Sequence, residues 1–276
     1  MGLEGKGKVA MARKLALVTG ASAGIGDAFA RLLAARGYDL ALTARRQDRL
    51  DALAAELRAR HGVETIVAPA DLADPEAPQA VLNAISARRR TVDALINNAG
   101  YGLTGAFGHT SWADQQAFLQ VMVTAPAEFA HKLAPGMAER GFGRIVNVAS
   151  VAGLLPGAAG HTLYAGAKSL MIKASQSLHL ETAAAGVHVT ALCPGFTLSE
   201  FHDVNGMRAR VTAATPRFAW MSAAEVAEAG WRAVEANRAM CVPGLTYKLI
   251  VGAASLIPES LALAVMRWQG PRFRDL

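Results

Sequence analysis

The feature that most constrains this chain is an alternation. Short runs that are apolar almost throughout, "KLALVTG", "YDLALTA", "VETIVAPA", "VDALINNAG", "GRIVNVAS", "VHVTALCPG" and "AMCVPG", are separated by longer amphipathic segments such as "DAFARLLAARG" and "RRQDRLDALAAELRARHG". A run without a polar side reads as a strand covered on both faces, while the intervening segments have helical spacing and end at glycines in several places. Strand and helix in regular alternation build an α/β fold, a doubly wound parallel sheet of about seven strands joined by right-handed crossovers. Ligands bind such sheets beyond the carboxyl ends of the strands, at the topological switch point.

Composition agrees with one large core. The 276 residues are 52% hydrophobic and only 18% charged, which argues against disorder. No linker, repeat or low-complexity tract marks a second domain, so residues 13–276 are expected to form a single domain. Residues 1–12 read as a flexible extension or tag remnant. No apolar stretch of signal-peptide length precedes the first strand, so a cytoplasmic protein is expected. Cys193 and Cys241 each sit in an apolar run and are expected as buried, reduced thiols. The seven histidines show no metal-ligand spacing, so no metal is expected. The net charge of +6 is spread along the chain, and the run Arg88, Arg89 and Arg90 reads as a solvated helix end, so nucleic acid is not an expected partner.

The first strand runs into "TGASAGIG", residues 19–26, which opens a helix. Gly20, Gly24 and Gly26 allow a tight turn and a close approach of backbone to a pyrophosphate, whose charge the free N–H groups of a helix N-terminus favour. Strand, glycine turn and helix together make a Rossmann-like dinucleotide site credible. A NAD site would usually carry Asp or Glu at the end of the second strand, for the ribose hydroxyls. Here that position reads Ala44, Arg45 and Arg46, two guanidinium groups suited to a 2′-phosphate, so NADP(H) is the expected cofactor.

Taken in order, "TGASAGIG", "DLAD" (71–74), "NNAG" (97–100), Ser150 in "VNVASVAG", "YAGAK" (164–168) and "CPGF" (193–196) resemble the classical short-chain dehydrogenase/reductase family over roughly residues 14–200. The resemblance implies that Ser22, Ala23 and Ile25 line the turn with its glycines, and that Asp71 and Leu72 contact adenine. Asn97 braces the fourth strand, and Asn98, Ala99 and Gly100 line the cofactor trough. Pro194, Gly195, Phe196 and Thr197 lie by the nicotinamide, and Ser199 offers the hydroxyl that contacts its carboxamide. Ser150, Tyr164 and Lys168 are implied as catalytic: Ser150 polarises the substrate oxygen, Tyr164 exchanges a proton with it, and Lys168 holds the ribose hydroxyls of the nicotinamide. Spacing alone says only that Tyr164 and Lys168 share a helix face. Physically the pair suffices, because bringing a phenol from a pKa near 10 to neutrality takes about 4 kcal/mol. An ammonium about 4 Å away supplies an interaction of that size.

The implied activity is NADPH-dependent interconversion of a carbonyl and a secondary alcohol. Other readings stand beside it: a weakened cofactor-binding sensor or scaffold, or a reductase of 3-ketoacyl thioesters held by Arg208, Arg210 and Arg217. The resemblance also implies a homodimer or homotetramer. Phe201, Met207, Phe218, Trp220 and Met221, within a lid at about 197–222, point with Tyr101, Leu103, Phe107, Leu154 and Leu155 to a hydrophobic substrate. The apolar stretch at about 245–268 is interrupted by Gly252 and Pro258. Two short packed helices are therefore favoured over attachment to a membrane surface, and both over a span.

One position departs from the family pattern. Its fourth catalytic residue, an asparagine, aligns with Met122, and a thioether cannot hold water as an amide does. A competent enzyme with an altered proton relay is expected, so Met122→Asn should leave turnover unchanged or raise it. Collapse of activity in a folded variant, measured by steady-state assay, would show the alignment or the role to be wrong.

Overall fold

A computed structural model describes residues 13–103, 105–198, 216–258, 260–264 and 267. In chain order the elements are β1 (Leu15–Thr19), α1 (Gly24–Ala35), β2 (Asp39–Thr43), α2 (Gln47–His61), β3 (Thr65–Val67), α3 (Ala77–Ser86) and β4 (Val92–Asn97). There follow α4 (Trp112–Leu119), a π-helical turn (Gln120–Thr124), α5 (Ala125–Glu139), β5 (Gly143–Val148), α6 (Tyr164–Thr182) and β6 (Val187–Leu192). The last are β7 (Thr197–Leu198), β8 (Met221–Ser222), α7 (Ala223–Glu235), β9 (Met240–Cys241) and α8 (Leu245–Ala254).

Seven strands form one parallel sheet in the order β3-β2-β1-β4-β5-β6-β9, and the direction of winding reverses between β1 and β4. Alternate residues of β1 serve opposite cores. Ala16 and Val18 pack with Phe29 and Leu33 of α1, Leu50 of α2 and Trp231 of α7. Leu15 and Leu17 pack with Val81 of α3 and with Phe129 and Met137 of α5. This is why the strand runs lack a polar side, and each fully buried Leu or Phe among them contributes roughly 1.5–3 kcal/mol. Helix ends follow local chemistry. Asp27 sits in the first turn of α1, where it pairs with Arg31 at 2.8 Å, and Ser222 with Glu225 closes a capping box on α7.

The long helix after β4 is broken by the π-helical turn at Gln120–Thr124. Pro126, at the start of α5, lacks the N–H that would bond the Met122 carbonyl, and its ring would strike that carbonyl. Widening the helix there avoids the clash.

Two expectations need correction or completion. Arg88 and Arg89 are exposed, but Arg90 is a structural pin rather than part of a solvated end. Its guanidinium donates to the Asp39 carboxylate at 2.9 Å, to Glu64 at 3.0 Å and to the Arg13 carbonyl at 2.7 Å. The apolar stretch of the C-terminal region forms α8 and a second helical piece at 260–264, and among the described residues no helix is long and apolar enough to cross a membrane. Both cysteines are free and buried, and burial pushes the Cys193 thiol up to about 12.

Because the Arg90 and Asp39 side chains are only 16% and 4% exposed, removing one partner strands the other's charge. Arg90→Ala is expected to lower unfolding free energy by about 3 kcal/mol, read by urea denaturation.

Candidate active site

The carboxyl ends of β1, β4, β5 and β6 bring the sequence-singled residues to one edge of the sheet. At β1 the chain turns at Gly20, whose φ of 65° suits glycine, and enters α1 with no side-chain cap at Ala23. A Cβ on Gly26 would lie 2.3 Å from the Gly20 carbonyl oxygen and 2.5 Å from Asn98 Nδ2, so turn and helix meet backbone to backbone only because glycine stands there. Such a cradle leaves helix N–H groups facing an approaching anion, which fits a pyrophosphate.

Thr19, which sequence reasoning missed, stitches this turn to β4. Its hydroxyl accepts from Asn98 N at 2.9 Å and Ala99 N at 3.0 Å, while Asn98 Nδ2 donates to the Thr19 carbonyl at 3.0 Å. The only signal in the sequence was its place, immediately before the glycines. Behind this edge Asn97 Nδ2 donates to Asn147 Oδ1 at 2.8 Å and to the Pro126 carbonyl at 3.0 Å, tying β4 to β5 and α5.

At the end of β2, Arg46 reaches back to the turn and donates to Ser22 Oγ at 3.1 Å, while Arg45 is exposed. Arg46 is therefore held on the glycine turn, while Arg45 stands exposed just before it in the chain. After β3, the exposed Asp71 accepts from Ala73 N at 3.0 Å. Leu72 is buried in the core with Val81 and Ile85, which leaves its backbone rather than its side chain to meet a ligand.

The Ser150 hydroxyl follows β5 and accepts from Ala152 N at 3.1 Å, and it is also hydrogen-bonded to the Tyr164 phenol. Tyr164 opens α6, with Lys168 one turn further on. The three are thus brought together, but not as the sequence argument expected. Lys168 Nζ donates to the Val148 carbonyl at 2.7 Å and lies 5.8 Å from the centre of the Tyr164 ring. Burial pushes the Tyr164 phenol up, and the bond to Ser150 offsets only part of this; burial pushes the Lys168 ammonium down to about 8. Desolvation is the leading cause of both shifts, so the expected lowering of the phenol does not occur in this arrangement.

Met122 is completely buried in the π-helical turn, in an apolar cluster with Phe118 and Ala167 against which Tyr164, Tyr101, Leu103, Leu119 and Leu163 pack. A Cβ on Gly100 would meet its sulfur at 2.8 Å. An amide at 122 would enter an apolar site, so the Met122→Asn assay is paired with a melting curve. Leu154 packs instead with Met171 and Ile172, and Phe107 is largely exposed. Pro194 and Thr197 are buried and Gly195 and Phe196 partly so. Ser199, Phe201, Met207, Arg208 and Arg210 lie outside the described residues. Among the described residues no cluster of side chains could hold a metal ion.

A family model described as short chain dehydrogenase matches residues 14–207. The chain belongs to the short-chain dehydrogenase/reductase family. It is 36% identical to a nodulation protein G of Rhizobium sp. (strain N33) over 243 residues, which is 87% of this chain and 97% of that one. Among solved structures it is similar to a short-chain dehydrogenase from Sphingobium yanoikuyae in complex with NADPH, with 32% identity, a TM-score of 0.77 and coverage of 89% of this chain and 96% of that one. A bulky-bulky ketone specific alcohol dehydrogenase from Comamonas testosteroni matches with 30% identity, a TM-score of 0.73 and coverage of 90% and 96%. These short-chain dehydrogenases share the seven-stranded sheet described above.

Lys168 gives a signature of its own. Its affinity for a proton is lower in the folded chain than in the unfolded one, where the ordinary value is 10.5. Below about 8 the folded state carries the cost of a buried ammonium, and stability rises as pH climbs from about 8 toward 10.5. Lys168→Met, compared with the parent by urea denaturation across that window, is expected to lack this rise.

Proposed function

We propose that this protein is an NADPH-dependent oxidoreductase that interconverts a carbonyl and a secondary alcohol on a hydrophobic ketone or aldehyde. The observation that carries the reading is the Ser150–Tyr164 hydrogen bond, with Lys168 one turn along α6, set at the carboxyl edge of the sheet near the glycine turn.

The residues fit such a cofactor. Gly20, Ser22, Ala23, Gly24, Ile25 and Gly26 would hold the pyrophosphate, and Arg45 with Arg46 the 2′-phosphate. Asp71 and the backbone of Leu72 would meet adenine. Asn98, Ala99 and Gly100 would line the trough, and Pro194, Gly195, Phe196, Thr197 and Ser199 would flank the nicotinamide, with Tyr164 and Lys168 at the ribose. NADPH, when bound, supplies the hydride that the carbonyl carbon accepts.

The chain's own part is to bind and orient the carbonyl and to supply the proton. Ser150 Oγ donates a hydrogen bond to the substrate oxygen and holds it beside Tyr164. Burial keeps the Tyr164 phenol protonated at neutral pH, which suits a donor to the oxygen as negative charge develops there. Lys168, whose ammonium donates to the Val148 carbonyl, would add positive charge one turn along α6 as negative charge develops at the substrate oxygen, and solvent then returns the proton that Tyr164 gives up. The apolar cluster of Phe118, Met122, Leu103, Leu119 and Leu163 beside Tyr164 favours a lipophilic substrate and excludes water from the developing charge. The ketone specificity of the Comamonas alcohol dehydrogenase and the NADPH of the Sphingobium complex agree with this reading.

The test is titration of the purified protein with NADPH and with NADH, followed by aliphatic, aromatic and steroidal ketones in the same cuvette. Tighter binding of NADPH, and its oxidation by a lipophilic ketone, are expected. Arg46→Ala should weaken NADPH about 10- to 100-fold and leave NADH nearly unchanged, the loss of a charge-assisted contact to the 2′-phosphate. Preference for NADH overturns the cofactor assignment, and binding without turnover overturns the enzyme reading.

A further inference from the structure

The least explained buried side chain near the site lies outside the matched family region. α8 runs from Leu245 to Ala254 and buries a single residue, Tyr247. Leu245, Leu249 and Ile250 of the same helix are exposed, so Tyr247 is its main anchor.

The ring lies flat against the loop that follows β6. A Cβ on Gly195 would fall within 2.0–2.2 Å of three of its carbons, so the contact exists only because position 195 has no side chain. The phenol oxygen then joins two segments. It accepts from Phe196 N at 2.9 Å and donates to the Ala219 carbonyl at 2.7 Å. Burial raises the phenol's pKa, so the proton it donates stays on.

These two segments are the places where the 199–215 region leaves and rejoins the described chain. Around the phenol, Met221 N donates to the Phe196 carbonyl at 3.0 Å, β7 and β8 pair at Thr197 with Met221 and Leu198 with Ser222, and the Phe196 and Trp220 rings lie 5.5 Å apart. On the other side of the loop, Val151 N donates to the Pro194 carbonyl at 3.0 Å. Val151 is the residue after Ser150. A short path of backbone bonds therefore runs from Tyr247 through Phe196 and Pro194 to the serine loop.

We propose that Tyr247 is a positioning residue that pins the Pro194–Leu198 loop to the Ala219–Ser222 stretch, and thereby sets how tightly cofactor and ketone are held. The inference rests on the proposed function for its effect on binding, but the pin itself is independent of any ligand. Neither Tyr247 nor its helix touches the reacting atoms in this scheme; its influence passes through Gly195 and Phe196.

Tyr247→Phe keeps the ring on Gly195 and removes only the phenol oxygen. It is expected to speed amide hydrogen exchange in the peptides carrying Phe196 and Met221, with a melting temperature close to the parent's. NADPH dissociation constant and ketone KM should rise about 3- to 10-fold, because both hydrogen bonds of the phenol are lost and the loop they hold is loosened, with kcat changed less. Unchanged exchange at Phe196 together with unchanged binding overturns the proposal, as would an equal fall in kcat with no change in KM. A second pair of variants tests the ring. Gly195→Ala should be strongly destabilising alone and much less so in a Tyr247→Ala background, where the methyl has room; additive effects would show that the ring contact is not the constraint. If the parent protein binds no NADPH and oxidises none, the functional reading fails, while exchange and the double-variant cycle still decide the pin.

Discussion

The site depends on the pairing of β1 with β4. There the sheet changes its winding direction, and neither strand's following element covers the gap between them. Two polar side chains hold that gap open in a fixed shape: the Thr19 hydroxyl, which takes two N–H groups of the segment after β4, and the Asn98 amide, which returns to the Thr19 carbonyl. The glycine turn, the trough at Asn98 to Gly100 and the start of α1 are thereby one rigid body. Its rigidity derives from close packing, since Gly26 leaves no space between backbone and amide.

On the other side of the gap the chemistry is governed by desolvation. Ser150, Tyr164 and Lys168 are brought to one edge, yet burial moves the phenol up and the ammonium down to about 8, so each is shifted toward its neutral form. An environment of that kind suits a group that must hold a proton until negative charge appears beside it. The mostly apolar cluster around Met122, against which Tyr164 packs, is part of that burial. The proline-induced π-turn is what carries Met122 there.

Much of this was legible in the sequence. Strands buried on both faces announce themselves as runs without a polar side, and the order of landmarks gave the family and the fold. Gly26, Arg46, Ser150, Tyr164 and Lys168 stand out as candidates because they sit at fixed offsets within motifs, and the fold places them along the carboxyl edge of the sheet. What could not be read was what depends on contacts distant in sequence. Arg90 looked like one member of a basic run, and only the fold brings Asp39 and Glu64 to it. Only the fold shows that the Leu72 side chain enters the core, leaving its backbone to face outward as a ligand contact. The spacing of Tyr164 and Lys168 speaks only of charge, and the burial that raises the phenol comes from elements distant in sequence. Tyr247 carried no motif, and nothing near it in sequence hinted at Gly195.

The stitch between Thr19 and Asn98 also has a kinetic side. These residues are 79 positions apart, so forming their contact from an unfolded chain costs at least about 4 kcal/mol of loop-closure entropy. All the neighbouring strand pairs are parallel, so each one spans a crossover and none can form as a local hairpin. Closing this stitch is accordingly a long-range event, of the kind that slows folding because the loop entropy is lost before the contact is gained.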